Sequence, residues 1–207
     1  MAVVPVKDPK RAKSRLGPRL EAWRTQLAAA FAADTLSALL DASRVDVVVV
    51  VGGQRLPEEL LEHDRLRTLP DPGDLNAAAT EGIAWARRHH PAASILVLTG
   101  DLPAATGEAI DRLLADAPPE GPLQVIPDTE RTGSTGLLID RGADVTPAFG
   151  RASLTRHQAG GARTIDLPGI ERLRRDVDTA DHLAAAVELG VGARTRSVLA
   201  EMADQRA

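Results

Sequence analysis

Apolar residues are distributed along this chain in two alternating rhythms. Ala2 to Val6, Val45 to Val51, Leu66 to Leu69 and Ile95 to Leu98 are short, nearly continuous apolar runs closed by Gly, Pro or charge, the pattern of strands covered on both faces. Between them the spacing becomes helical. Trp23, Leu27, Ala30, Phe31, Leu36, Leu39 and Leu40 form one broad apolar face over Arg19 to Ala42, and further helices are predicted over Pro57 to His63, Leu75 to His89 and Thr106 to Leu114. Strands and helices that alternate through right-handed crossovers predict an α/β fold with a doubly wound, mostly parallel sheet and helices on both faces. After Pro118-Pro119 the rhythm loosens. Strands at Leu123 to Pro127 and Gly136 to Asp140 flank a Thr/Gly/Ser loop, and a helix is expected from Ser153 to Ala159. Arg163 to Leu167 is strand-like, a helix from Asp178 or Thr179 runs to Leu189 with Gly190 as its cap, and Arg194 to Ala207 reads as a final helix or a frayed tail.

Length and composition narrow the picture. The 207 residues suit one domain, 1–207, with 191–207 as its C-terminal helix or tail. Aromatics are only 2% of the chain, too few for a base-stacking platform, and a net charge of −4 argues the same way against nucleic acid. The lack of cysteine excludes thiolate metal sites and Cys nucleophiles. No apolar stretch approaches the roughly 20 residues of a membrane span, and Met1 to Lys7 lacks the pattern of a signal peptide. The expectation is a soluble, cytoplasmic protein without a membrane partner.

Four features carry candidate chemistry. The loop after the first strand holds five cations between Lys7 and Arg15, either solvated or placed to meet phosphates; it has no glycine, so side-chain charge would replace the backbone amides of a phosphate loop. Thr99-Gly100-Asp101-Leu102-Pro103 ends a central strand, where an open α/β sheet binds ligands; Asp101 either faces that crevice or caps the helix near Thr106. Asp176 and Asp178 precede a helix as caps or as a second source of metal carboxylates. Gly150 and Ser153, at a helix start, offer an anion site or an ordinary N-cap. Asn76, in the first turn after the expected cap Asp74, can cap, face solvent or meet a nucleoside. His157 reads as a surface helix residue or as an orienter of a substrate anion, and His89-His90 as a solvated helix end. Separated Asp residues plus Lys and Arg suit a nucleoside triphosphate with Mg²⁺, which takes one or two carboxylates and phosphate oxygens. The set looks like a nucleotidyltransferase.

The chain resembles the guanylyltransferases of coenzyme F-420 biosynthesis that activate phosphoenolpyruvate or 2-phospho-L-lactate. The resemblance is carried by VPVKDPKRAKSRL at Val3 to Leu16, DLNAA at Asp74 to Ala78, GDLP at Gly100 to Pro103, and Asp128 with TGSTGLL at Thr132 to Leu138. It continues through PAFGRASLTRH at Pro147 to His157 and DLPGIERLRRDVDT at Asp166 to Thr179, so that it spans Val3 to about Gly190. It implies a Rossmann-like fold of the nucleotide-diphospho-sugar transferase type. It implies Lys13 as a catalytic cation and Lys7, Lys13, Arg15, Asn76 and Gly100 as nucleotide-binding residues. Asp101 and Asp178 are implied as catalytic ligands of Mg²⁺, and Thr135, Gly150 and Ser153 as binders of phosphoenolpyruvate. The implied reaction moves GMP from GTP to phosphoenolpyruvate, giving enolpyruvoyl-diphospho-guanosine and diphosphate. The product would pass to a downstream transferase, and a homodimer is left open. The loop reads Thr-Gly-Ser-Thr-Gly where the family often has Gly-Thr-Gly-Thr or Gly-Thr-Asn, and Thr135 fits best because it adjoins the Gly136 strand.

A phosphate whose second ionisation lies near pKa 6 is largely a dianion at pH 7 and can attack phosphorus without a general base, so the chemistry requires no catalytic His. The acceptors 2-phospho-L-lactate and 3-phospho-D-glycerate share the carboxylate and phosphate and stay open as alternatives. A molybdopterin-type enzyme is disfavoured because the first loop lacks its Gly-rich turn. A non-catalytic nucleotide-binding module would have no need to position two carboxylates.

Overall fold

In the computed structural model, which describes residues 1–6, 16–53, 56–118 and 121–205, the apolar runs assemble into one seven-stranded sheet. Its strands are β1 (Ala2–Val6), β2 (Val48–Gly52), β3 (Leu66–Leu69), β4 (Ile95–Leu98), β5 (Leu123–Pro127), β6 (Ser134–Ile139) and β7 (Arg163–Thr164). Their order is β3-β2-β1-β4-β6-β5-β7. Only β6 runs against its neighbours, antiparallel to both β4 and β5, so the sheet is mostly parallel. The chain first winds outward from β1 through β2 to β3. It then returns to β4 on the other side of β1, which makes the β1/β4 boundary the switch point where such sheets bind ligands.

The helices are α1 (Arg24–Asp41), α2 (Glu58–Leu61), α3 (Leu75–His89), α4 (Gly107–Asp116), α5 (Ser153–Ala159), α6 (Glu171–Arg174), α7 (Ala180–Leu189) and α8 (Ala193–Asp204). The strands' period of two divides their side chains between two cores. Val4, Val50, Leu96 and Leu98 face one core with Leu36 and Leu39 of α1 and Ile110 and Leu113 of α4. Val3, Val49, Val51, Ile95 and Val97 face the other, with Ala79, Ile83 and Ala86 of α3 and Leu154 of α5. A third cluster joins Leu27 and Phe31 of α1 to Leu183, Ala186 and Met202 of the last two helices and to Val177. That cluster sits beside the switch point and carries the Asp176 to Asp178 segment.

Several boundaries differ from expectation. Pro18 to Trp23 is a 3-10 turn rather than the first turns of α1, because Gly17 enters it with φ +84° and Pro18 lacks a donor. Val45 to Val47 lie outside β2, whose ladder starts where its partner β1 starts, at Ala2 opposite Val48. The strand expected to Leu167 ends at Thr164, since only Gln124 and Val125 of β5 pair with it. The C-terminal segment is a helix rather than a frayed tail. Asp34 of α1, 5% exposed, accepts from the backbone N–H groups of Arg194 (3.0 Å) and Thr195 (2.9 Å) and caps α8 from across the chain. Among the described residues no helix is long and apolar enough to cross a membrane.

Candidate active site at the switch point

Asp101 leaves the carboxyl end of β4, and the loop that follows is fastened at almost every backbone group. The carbonyl of Asp101 accepts from Val177 N (3.1 Å), and Leu102 N donates to the buried hydroxyl of Thr35 (3.1 Å). Pro103 O accepts from Gly192 N (2.8 Å), and Ala104 O accepts from the Arg172 guanidinium (3.3 Å). Gly100 lies against the end of β1; a Cβ there would meet Val6 Cγ2 at 3.1 Å, so a side chain would press the two strand ends apart. The cap of α4 is Thr106, whose hydroxyl accepts from Ala109 N (3.2 Å), so Asp101 does not serve as that cap.

The Val177 bond brings a second acidic segment to the first. Asp101, Asp176 and Asp178 each offer a carboxylate oxygen within 4.8 Å of the others, and all three are partly buried. Neither Asp176 nor Asp178 is a helix cap: α7 is capped by Thr179, whose hydroxyl accepts from His182 N (3.2 Å). Expectation paired Asp101 with Asp178 or Asp176; the structure gathers all three. Three carboxylate oxygens gathered beyond the end of β4 are hard donors that could hold a divalent cation. Asp176 also stands within the same reach of Asp128 and Glu130. Those two are engaged in holding the chain. Asp128 accepts from Thr132 N (2.9 Å) and Gly133 N (2.7 Å), closing the β5–β6 turn, while Glu130 is paired with Arg175 at 2.7 Å. Burial would raise the Glu130 carboxyl, but the side-chain hydrogen bond from Arg175, a backbone hydrogen bond and the Arg175 charge outweigh it and leave the group below its usual 4.5.

The β5–β6 turn and the α6 segment are zipped together. The Thr135 hydroxyl, 1% exposed, donates to Leu173 O (2.6 Å), Thr129 N donates to Arg174 O (3.0 Å), and Arg174 Nε donates to Pro127 O (3.3 Å). Thr135 is implied by the resemblance as a binder of the acid; in the structure its hydroxyl proton goes to Leu173 O. The backbone carbonyl of Thr135 accepts from Thr99 N (2.9 Å), which ties the turn to the end of β4.

Ser153 and Gly150 lie against the start of β6, where Ser153 meets Ser134. Gly150 has φ +112°, a conformation side chains resist, and its carbonyl accepts from Ser153 N (3.1 Å). Ser153 is the first residue of α5, yet it caps nothing: the residue before it, Ala152, is left-handed and no side chain caps the helix. Its hydroxyl, 1% exposed, instead meets Ser134 Oγ at 2.8 Å, and Ser134 meets His157 Nδ1 at 2.9 Å. His157 is buried rather than on the helix surface, and Ala148 N donates to its Nε2 (2.9 Å). Burial, with a smaller contribution from Arg156, lowers its pKa from 6.5 to about 4. Asn76 likewise does something the motif did not reveal. Asp74 caps α3, and the Asn76 amide grips the backbone of Phe149, accepting from its N–H (2.6 Å) and donating to its carbonyl (3.2 Å). Lys7, Lys13 and Arg15 lie outside the described residues. His89 is exposed and stacks on Trp85 with ring centroids 4.1 Å apart, as expected of a helix end.

A mostly parallel α/β sheet with carboxylates gathered at its switch point is the architecture of a nucleotidyltransferase, and the comparisons agree. The model of the MobA-like NTP transferase domain family matches residues 20–199. A solved structure of a candidate nucleotide-diphospho-sugar transferase from Desulfovibrio desulfuricans G20 superposes with a TM-score of 0.60, covering 91% of this chain and 95% of that one at 15% identity. Across nearly its full length the chain is 42% identical to the phosphoenolpyruvate guanylyltransferase of Streptomyces scabiei, covering 97% of this chain and 95% of that one. It is 40% identical to the phosphoenolpyruvate guanylyltransferase of Streptomyces coelicolor, at the same coverage. The chain belongs to the phosphoenolpyruvate guanylyltransferase family, within the MobA-like NTP transferases.

Proposed function

We propose that this chain transfers GMP from GTP to phosphoenolpyruvate, forming enolpyruvoyl-diphospho-guanosine and releasing diphosphate. We place the reaction in coenzyme F-420 biosynthesis, where a downstream transferase consumes the product. The observation that carries the reading is the convergence of Asp101, Asp176 and Asp178 at the β1/β4 switch point, in a chain whose relatives of matching length bear that activity in their names. Asp101 and Asp178, with Asp176, would hold Mg²⁺, and the ion when bound would screen the negative charge of the triphosphate and of its leaving group.

The remaining work falls to the chain. The phosphate dianion of the acid attacks the α-phosphorus of GTP in line, and the bond from that phosphorus to the diphosphate breaks as the new anhydride forms. Lys13, with Lys7 and Arg15, neutralises charge on the triphosphate. Gly100 lets the nucleotide approach the end of β4, and Asn76 has its second amide hydrogen to offer the nucleoside. Gly150, Ser153 and the backbone at Thr135 receive the acid's carboxylate and phosphate. Because the fastened 101–104 loop and the zipped 173–178 segment hold the carboxylates before substrates arrive, catalysis rests on positioning and preorganised charge.

Diphosphate release in the presence of GTP and Mg²⁺ tests the reading, with phosphoenolpyruvate, 2-phospho-L-lactate and 3-phospho-D-glycerate compared side by side. The expected outcome is release that depends on phosphoenolpyruvate. Preference for either other acid would move the assignment to it, and silence with all three would remove it.

A further inference from the structure

His157, Ser134 and Ser153 form a hydrogen-bonded row whose direction is set by one obligate donor. Ala148 N–H can only donate, so the His157 Nε2 it contacts at 2.9 Å must carry a lone pair. A neutral imidazole then keeps its single proton on Nδ1, which lies 2.9 Å from Ser134 Oγ and donates to it. Burial beside Arg156 keeps the ring neutral at physiological pH. Ser134, accepting from the imidazole, directs its own proton to Ser153 Oγ at 2.8 Å. The opposite direction would strand the Ser134 proton, which has no third partner among the described residues. Ser153, itself buried, therefore accepts from inside the protein and keeps its own proton for another acceptor.

We infer that His157 and Ser134 are positioning residues that preset the Ser153 hydroxyl as a hydrogen-bond donor toward an oxyanion of the phosphorylated acid, an inference that rests on the acid-binding reading of Ser153. An isolated serine hydroxyl rotates and serves as donor or acceptor with equal ease. Here the internal bond occupies a lone pair and turns the proton toward the acid, so the contact is arranged before the substrate arrives. The row is itself braced: the Phe149 ring packs edge-on against His157 at 5.1 Å, and Asn76 and Arg156 both hold the Phe149 backbone.

A purely structural role for His157, holding Ala148 through Nε2, is separable because it does not involve Ser134. Ser134→Ala leaves the His157 to Ala148 bond intact and cuts the row. In steady-state diphosphate release the variant is expected to raise the KM for phosphoenolpyruvate about tenfold while the KM for GTP stays within about twofold. Ser134→Thr, which keeps the hydroxyl, is expected to restore the wild-type value, and Ser134→Ala combined with Ser153→Ala is expected to be no worse than Ser153→Ala alone. Nitrogen NMR of the imidazole in the intact protein, a readout that does not depend on turnover, is expected to show Nδ1 protonated and Nε2 bare. The opposite tautomer overturns the inference, as does an equal rise in both KM values or an unmoved KM for the acid. Wild-type protein inactive with all three acids overturns the acid-binding reading and the role toward the acid with it; an active wild type with the wrong tautomer overturns the row alone.

Discussion

Thr35 stands one helix away from the proposed chemistry and carries a sharp test of how Asp101 is held. Its side chain is fully buried; the hydroxyl donates to Phe31 O (2.8 Å) and accepts from Leu102 N (3.1 Å), the residue that follows Asp101. Thr35→Val preserves shape and removes the acceptor. Phe31 O keeps its ordinary helical partner, the N–H of residue 35, so the orphan created is the buried N–H of Leu102. Leaving such a group unsatisfied costs about 1–3 kcal/mol, offset in part by the better burial of a methyl than of a hydroxyl, and a net loss of about 1–2 kcal/mol is expected. In a chain of this length that corresponds to a fall in Tm of roughly 2–8 °C. Urea unfolding measures the stability, and hydrogen exchange at the Leu102 amide reports the bond itself. Thr35→Ser, which retains the hydroxyl, is the control. If the valine variant is as stable as wild type and its Leu102 amide equally protected, the bond does not anchor the loop.

Other perturbations separate the parts of the site. Asp101→Asn is expected to lower kcat by about a hundredfold or more, comparable with loss of a strong transition-state contact, with an unchanged far-ultraviolet spectrum; an active variant would remove Asp101 from the centre. Asp176→Asn and Asp178→Asn are each expected to raise the Mg²⁺ concentration needed for half-maximal diphosphate release, and a variant with wild-type metal dependence would take that residue out of the ligand set. Asp34→Ala leaves two N–H groups at the start of α8 without their acceptor and is expected to destabilise by about 2 kcal/mol in urea unfolding, with early loss of exchange protection in α8. His157 has a folded pKa of about 4 against an ordinary 6.5, so the unfolded chain binds its proton first. Stability is therefore expected to fall as pH drops from 6.5 toward 4, by roughly 3 kcal/mol at most, and urea midpoints that stay flat over that interval would contradict the buried neutral imidazole.

What could be read in the chain was whatever its neighbours in sequence determine. Helix α3 begins and ends as the periodicity and the Asp74 cap indicated, and β4 and α5 keep their expected bounds, α5 without a capping side chain, because burial pattern is local. Asp101 and the Asp176/Asp178 pair could be proposed because they sit at element ends, where the fold class places ligands. Their partners were hidden by distance along the chain. Asp34 caps a helix 160 residues away, Asn76 grips Phe149 across 73, and Thr135 reaches Leu173 across 38. For Asn76 and His157 residue type left a ligand contact open beside a capping or surface role, and for Thr135 the resemblance implied one; the structure shows internal bonds for all three. A Ser, a Thr and a His must find partners when they are buried, and here they find each other or the backbone.

The most direct test of the central claim follows the α-phosphorus. Protein, Mg²⁺, phosphoenolpyruvate and GTP labelled at that phosphorus are mixed, and the products are separated and weighed by mass spectrometry. The account requires the label to leave GTP together with the guanosine and to appear in a diphosphate anhydride with the acid, one diphosphate being released for each acid consumed, and Asp101→Asn to suppress the transfer. Label that stays in GTP with every acid offered, or transfer that proceeds unchanged without the Asp101 carboxylate, would contradict it.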